Sequence, residues 1–218
     1  MKKLAHKFNS LESDIITVDD ALSLKKRFPD EWESRYFYDI IKLRPMFPVD
    51  RKGDSSSFTF RNSQGGGHGK GSKGITHELV QEYLCKRDSY SFKAYGKEIH
   101  LKIENAFDEW HVFDPNDSSR KAYIDCCLEL SEDCEWYAKL GPRVGFEITD
   151  THKTGYRKRK LLNELGIFVF EIVTIKDWHI PNDSKPKKED IYKLRARIKG
   201  YLNSVQRVEV LSQPSFIG

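Results

Sequence analysis

Residues 121–130 (KAYIDCCLEL), 144–151 (VGFEITDT), 156–165 (YRKRKLLNEL) and 167–175 (IFVFEIVTI) together decide how this chain is built. The first two runs are apolar and strand-like, and each carries an acid in mid-run, Asp125 and Glu147. The third reads as a short basic helix. The fourth is an apolar run that does not alternate, as expected for a strand covered on both faces. Strand, helix, buried strand predicts a right-handed parallel crossover. Alternation along the second run puts Glu147, Thr149 and Thr151 on one face, with Phe146 and Ile148 on the other. In the first run, Tyr123, Asp125 and Cys127 are expected to share a face. If the two strands are neighbours, Asp125 and Glu147 converge. A carboxylate inside a sheet is costly unless something neutralises it, and two close together raise each other's proton affinity. A divalent cation, Mg²⁺ or Mn²⁺, removes that repulsion. It also polarises a phosphoryl oxygen and acidifies bound water.

The basic helix adds a third group. Lys158 shares a helical face with Leu161, Leu162 and Leu165, at spacings of three, four and seven, so it is expected to point toward the sheet. There it would orient a water or stabilise charge on a phosphate. Arg157, Arg159 and Lys160 lie elsewhere around the helix and suit phosphate contacts. The blander reading of the same residues is a solvated helix face, a lysine snorkelling past leucines, and acids at a sheet edge.

Working outward, residues 18–28 predict a helix with Thr17 as N-cap and Asp19 and Asp20 in its first turn. Residues 36–43 (YFYDIIKL) are open between strand and helix, and 55–61 alternate as a short strand. The stretch 62–74 (NSQGGGHGKGSKG) reads as a glycine-rich loop whose His68, Lys70 and Lys73 are candidate phosphate contacts. Residues 76–87 predict a helix with Leu79, Val80, Tyr83 and Leu84 as its apolar face. Two or three strands follow within 92–113, turning around Gly96, with 100–113 strand-like in two pieces. Residues 114–119 (DPNDSS) predict a turn. Residues 191–205 predict an amphipathic helix. The expected organisation is an N-terminal extension at 1–61, a candidate for substrate recognition, then the loop at 62–75, a core at 76–178 and a C-terminal helix packing on it within 179–218.

Hydrophobic residues make up 38% and charged residues 32% of the 218, which excludes a disordered chain. No apolar run approaches the roughly 18 residues of a membrane span, and the N-terminus carries no apolar segment of a secretory signal. The four cysteines, Cys85, Cys126, Cys127 and Cys134, contain no C-x-x-C pair. They are expected to be reduced thiols in a cytoplasmic protein. A net charge of +4 permits a nucleic-acid partner without arguing for one.

Taken together, these residues resemble the PD-(D/E)xK nuclease superfamily, and within it the competence-protein (CoiA-like) branch. Asp125 and Glu147 sit on consecutive predicted strands. Glu147 is followed by Thr151-His152 and then by the helix lysine Lys158. Leu165-Gly166-Ile167 and Glu171-Ile172 resemble the branch's "LGI…EI" ending, and Phe58-Thr59-Phe60-Arg61, the Gly-rich loop and His77 resemble its approach to the first core helix. The match covers roughly 58–176. Three positions depart from the pattern. Thr149 stands where the superfamily lysine is usual, Thr76 where an acid precedes the histidine, and Gln81 where a lysine is expected. Glu78 or Glu82 could supply a helix carboxylate instead.

The resemblance implies an α/β fold with a restriction-endonuclease-like core, a mixed sheet flanked by helices behind an N-terminal extension. It implies a Mg²⁺-dependent deoxyribonuclease. Asp125 and Glu147 would hold the metal, and Lys158 would assist at the scissile phosphate. His77, Gln81, Thr149 and His152 would line the site. DNA would be the partner, with a homodimer permitted. Two other functions stay open. One is a catalytically silent nucleic-acid-binding module on the same fold. The other is a protein-binding inhibitor or adaptor using Trp32, Tyr36, Phe37, Tyr38, Trp136 and Tyr137.

Overall fold

The computed structural model describes residues 2–29, 36–51, 56–60, 74–149, 154–178, 180 and 187–213. Lys70, Lys73, His68 and His152 lie outside these residues, as do Trp32 and Thr151. The chain is a mixed α/β protein with a five-stranded antiparallel sheet and a seven-stranded mixed sheet. Two compact units divide it: Met1–Leu79 with His179–Arg195, and Val80–Trp178 with Ala196–Gly218. The divisions fall inside two helices, α2 (Ile75–Cys85) and α5 (Lys188–Asn203).

The first unit contains β1 (Leu4–His6), β2 (Ile15–Thr17), α1 (Val18–Arg27), β3 (Phe37–Tyr38), β4 (Pro45–Val49) and β5 (Ser57–Phe60). Its strands are ordered β2-β1-β3-β4-β5. Thr17 caps α1 as its sequence predicts: its hydroxyl oxygen accepts from Asp20 N at 3.1 Å and its hydroxyl donates to Asp20 Oδ2 at 2.8 Å. Ala5, Ile16, Val18, Phe37, Met46 and Phe58 form the core of this unit. The N-terminal extension therefore buries an apolar cluster of its own. The first turn of α2 serves this unit. Glu78 is fully buried and accepts from the backbone N–H groups of Lys3 and, at 3.1 Å, Leu4. Burial pushes its carboxyl up to about 7, against the pull of Lys2 and those two N–H donors.

The second unit contains β6 (Ser89–Ala94), β7 (Lys97–Asp114), β8 (Asp117–Leu130), α3 (Tyr137–Leu140), β9 (Arg143–Thr149), α4 (Tyr156–Glu164), β10 (Phe168–Val173), β11 (Gln206–Arg207) and β12 (Glu209–Ser212). Strand order is β11-β6-β7-β8-β9-β10-β12. The expected pieces of 100–113 are one strand, β7, with an irregularity between Ile103 and Asn105. β9 and β10 pair in parallel through α4, with Glu147 opposite Glu171. The C-terminal stretch is more than the expected helix: β12 pairs with β10 at one edge of the sheet and β11 with β6 at the other.

α4 packs Leu161 and Leu162 onto Ile124, Ala122, Val112 and Val169. It ends in a Schellman motif. Gly166, at φ +70, donates its N–H to Asn163 O at 3.1 Å, and Ile167 N donates to Leu162 O at 3.0 Å. On the other face, the rings of Phe92, Phe146 and Phe170 meet at centroid distances of 4.7–5.7 Å. Gly145 sits between the layers. A Cβ there would come within 3.0 Å of methyl groups of both Ile124 and Val169. Among the described residues, no helix is long and apolar enough to cross a membrane.

Candidate active site

β8 and β9 are antiparallel neighbours, and their ladder ends at Cys126 opposite Phe146. The next positions along that register are Asp125 and Glu147. There the side chains take over the role of the backbone. Asp125 N donates to Glu147 Oε1 at 3.2 Å, and Ile148 N donates to Asp125 Oδ2 at 3.0 Å. The carbonyl of Asp125 accepts from Gln81 Nε2 on α2. Each acid thus anchors the other's strand where the ladder ends.

The expected shared face of Tyr123, Asp125 and Cys127 does not hold. Ile124 packs with Val169 beneath α4. Cys126 pairs with Phe146, whose ring meets Phe170, the neighbour of Val169 that points to the other side. Residues 124 and 126 therefore face opposite ways, and the alternation breaks at Asp125. The β7–β8 ladder skips this position too, and the residue across from it, Glu109, has φ +56. A left-handed non-glycine residue twists the ribbon locally, at the point where the alternation breaks.

Lys158 reaches the pair as its helical face predicts. Its Nζ lies 2.6 Å from Glu147 Oε2, with about a quarter of its side chain exposed. Glu147 is buried. Burial, reinforced by the charge of Asp125, pushes its carboxyl up to about 7, with Lys158 pulling the other way. Desolvation outweighs the single ammonium.

Thr149 and Arg159 do not serve as free contacts. The Thr149 hydroxyl donates to Glu171 Oε1 at 2.6 Å. Glu171 is buried and also accepts from Thr154 N at 3.3 Å and Thr154 Oγ1 at 3.1 Å. Arg159 Nη2 lies 3.8 Å from Glu171 Oε2, and its Nε donates to Thr154 O at 3.0 Å. Glu171 thus fastens the end of β9 and the entry of α4 to β10, one residue from Lys158. The sequence names Glu171 only within the "EI" ending of the resemblance and gives it no role in the site, although it interrupts an apolar run as Asp125 and Glu147 do. Arg157 and Lys160 are exposed, with Lys160 Nζ 3.8 Å from Glu164. Gln81 holds the backbone of Asp125. Glu82 is buried and pairs with Lys86 at 2.7 Å. His77 and Glu78 belong to the stretch of α2 in the first unit, where Glu78 is committed to β1.

Among the described residues, no group of three or more His, Cys, Asp or Glu side chains is arranged to hold a metal ion. Two carboxylates still match what Mg²⁺ takes from a protein, because that ion keeps several waters and binds substrate phosphate oxygens. No family model matches the chain, and neither the curated proteins nor the solved structures give a match.

Proposed function

We propose that this protein is a divalent-metal-dependent nuclease of the PD-(D/E)xK type, hydrolysing phosphodiester bonds in DNA, with a restriction-endonuclease-like core in the second unit. One observation carries the reading. Two carboxylates from adjacent strands, Asp125 and Glu147, meet where their ladder opens, and a helix lysine reaches the buried one at 2.6 Å. Such a constellation suits a substrate that is anionic and a cofactor that is a hard cation.

In this reading, Asp125 and Glu147 hold Mg²⁺ or Mn²⁺, which when bound polarises a phosphoryl oxygen and lowers the pKa of a coordinated water. Lys158 sits at the start of the α4 face that meets the sheet. It balances the charge on Glu147 in the resting site and is within reach of an anionic phosphate beside it. Exposed Arg157 and Lys160 draw the polyanion toward α4. Glu171, through Thr149, Thr154 and Arg159, keeps α4 seated so that Lys158 stays in place. Gln81 fixes the backbone of Asp125.

A second reading has its own support. Thr149 stands where the lysine is usual and is engaged by Glu171, while Lys158 already neutralises Glu147. Both features suit a module that binds nucleic acid without cutting it. Cleavage of supercoiled plasmid and single-stranded DNA, with Mg²⁺, Mn²⁺ or EDTA and Glu147→Ala beside wild type, separates the two. Metal-dependent cutting that the variant loses supports the nuclease. Salt-sensitive binding with no cutting under any metal supports the silent module.

A further inference from the structure

Cys85 ends α2, and Cys126 follows Asp125 in β8. Their sulfur atoms are 3.4 Å apart, and both are free thiols. Cys126 is completely buried, whereas Cys85 is half-buried and is the more exposed of the two. The other two cysteines, Cys127 and Cys134, are buried as well. We propose that Cys85 and Cys126 are an oxidisable pair that a peroxide closes to a disulfide, which displaces Asp125 from its place in the site. A disulfide needs the sulfurs at about 2.0 Å, so the pair must close by about 1.4 Å.

The chemistry balances with hydrogen peroxide as the oxidant. The sulfur of Cys85 attacks one peroxide oxygen and the O–O bond breaks. Cys85 becomes a sulfenic acid, and the other oxygen leaves as water with the thiol proton. The sulfur of Cys126 then attacks the sulfur of Cys85. The S–O bond breaks, and the hydroxyl departs as a second water with the proton of Cys126. Two thiols and one peroxide become one disulfide and two waters.

The place of the pair supplies the consequence. α2 already grips β8 at Asp125, through Gln81 Nε2 on its carbonyl. A covalent bond one residue further along pulls on the strand that carries the carboxylate. Misplacement by about 1 Å at a reacting centre costs on the order of 100-fold in rate. This effect on activity rests on the nuclease reading above, but formation of the bond does not.

The test treats the full chain with graded hydrogen peroxide, traps remaining thiols with N-ethylmaleimide, and maps peptides without reduction. A link between the peptides 74–86 and 122–139, assigned to Cys126 by fragmentation, is the expected product. It should be lost in Cys85→Ser and in Cys126→Ser and reversed by dithiothreitol. Cys85→Ser should cut DNA normally when reduced and resist peroxide, while wild type loses on the order of 100-fold and recovers with dithiothreitol. No link, a link to Cys127 or Cys134, or oxidation of Cys85 to the sulfinic acid overturns the pair. A link that leaves cleavage unchanged overturns its effect on the site. A reduced protein that never cuts condemns the nuclease reading alone, because the mass map still decides the pair.

Discussion

The Nζ of Lys158 lies 2.6 Å from Oε2 of Glu147, and the other oxygen of that carboxylate accepts the backbone N–H of Asp125 at 3.2 Å. One buried side chain thus joins α4, β9 and β8 at a single point. Burial and the charge of Asp125 push its proton affinity up, and Lys158 pulls it down without cancelling them.

Removing either carboxylate should abolish cleavage without unfolding the protein. Metal-assisted catalysis supplies several kcal/mol of transition-state stabilisation, so Asp125→Asn and Glu147→Gln should each lose at least about 1,000-fold in kcat/KM. Both substitutions keep shape and hydrogen-bonding capacity, and the circular dichroism spectrum should be unchanged. Cleavage within tenfold of wild type in both variants would remove these two residues from the centre.

Lys158→Met keeps the stem of the side chain over the leucines and removes only the charge. It leaves the Glu147 carboxylate buried without its ammonium, so the proton affinity of Glu147 should rise further. Cleavage should fall by about 100-fold, chiefly in kcat. Lys158→Arg should restore part of this loss. A change confined to KM would mean that Lys158 only helps to bind the polyanion.

How much of this was visible in the sequence depends on how locally each feature is written. Asp125 and Glu147 stand out because each interrupts an apolar run, and Lys158 because leucines follow it at helical spacing. The break in alternation at Asp125 is invisible along β8, since its cause sits across the ribbon at Glu109, a residue type that rarely adopts φ +56. The first unit was hard to read for a different reason. Strands of two to five residues, such as Phe37–Tyr38 and Pro45–Val49, are too short to show a period. The edge strands Gln206–Arg207 and Glu209–Ser212 escaped for the same reason, being held by partners more than thirty residues away in sequence.

Glu171→Ala should destabilise the second unit by about 2–4 kcal/mol. It would strand the buried hydroxyl of Thr149 and leave Arg159 without its carboxylate. Glu171→Gln retains an acceptor for Thr149 and Thr154 and should cost less. Urea denaturation reads both. Because Glu171 acts through α4, the glutamine variant should also lower kcat while leaving KM and metal affinity near wild type. Equal loss of metal affinity would instead make it a ligand.

Stability should depend on pH in a defined direction. Glu147 and Glu78 both have carboxyls raised from the ordinary 4.5 to about 7. Below about 4.5 each is protonated in the folded and the unfolded chain alike, so their neutral forms carry no difference. Between about 4.5 and 7 the unfolded chain ionises first, and folding loses the advantage of the neutral buried form. In EDTA, therefore, Tm should fall as pH rises from 5 to 8. Glu147→Gln should remove part of that slope and leave the part due to Glu78. Millimolar Mg²⁺ should raise Tm most at the upper end of the range, where Glu147 is ionised, and should do nothing for Glu147→Gln. A slope of opposite sign in EDTA would show that these carboxyls are not raised, and equal Mg²⁺ stabilisation of both proteins would show that the cation does not bind at this carboxylate pair.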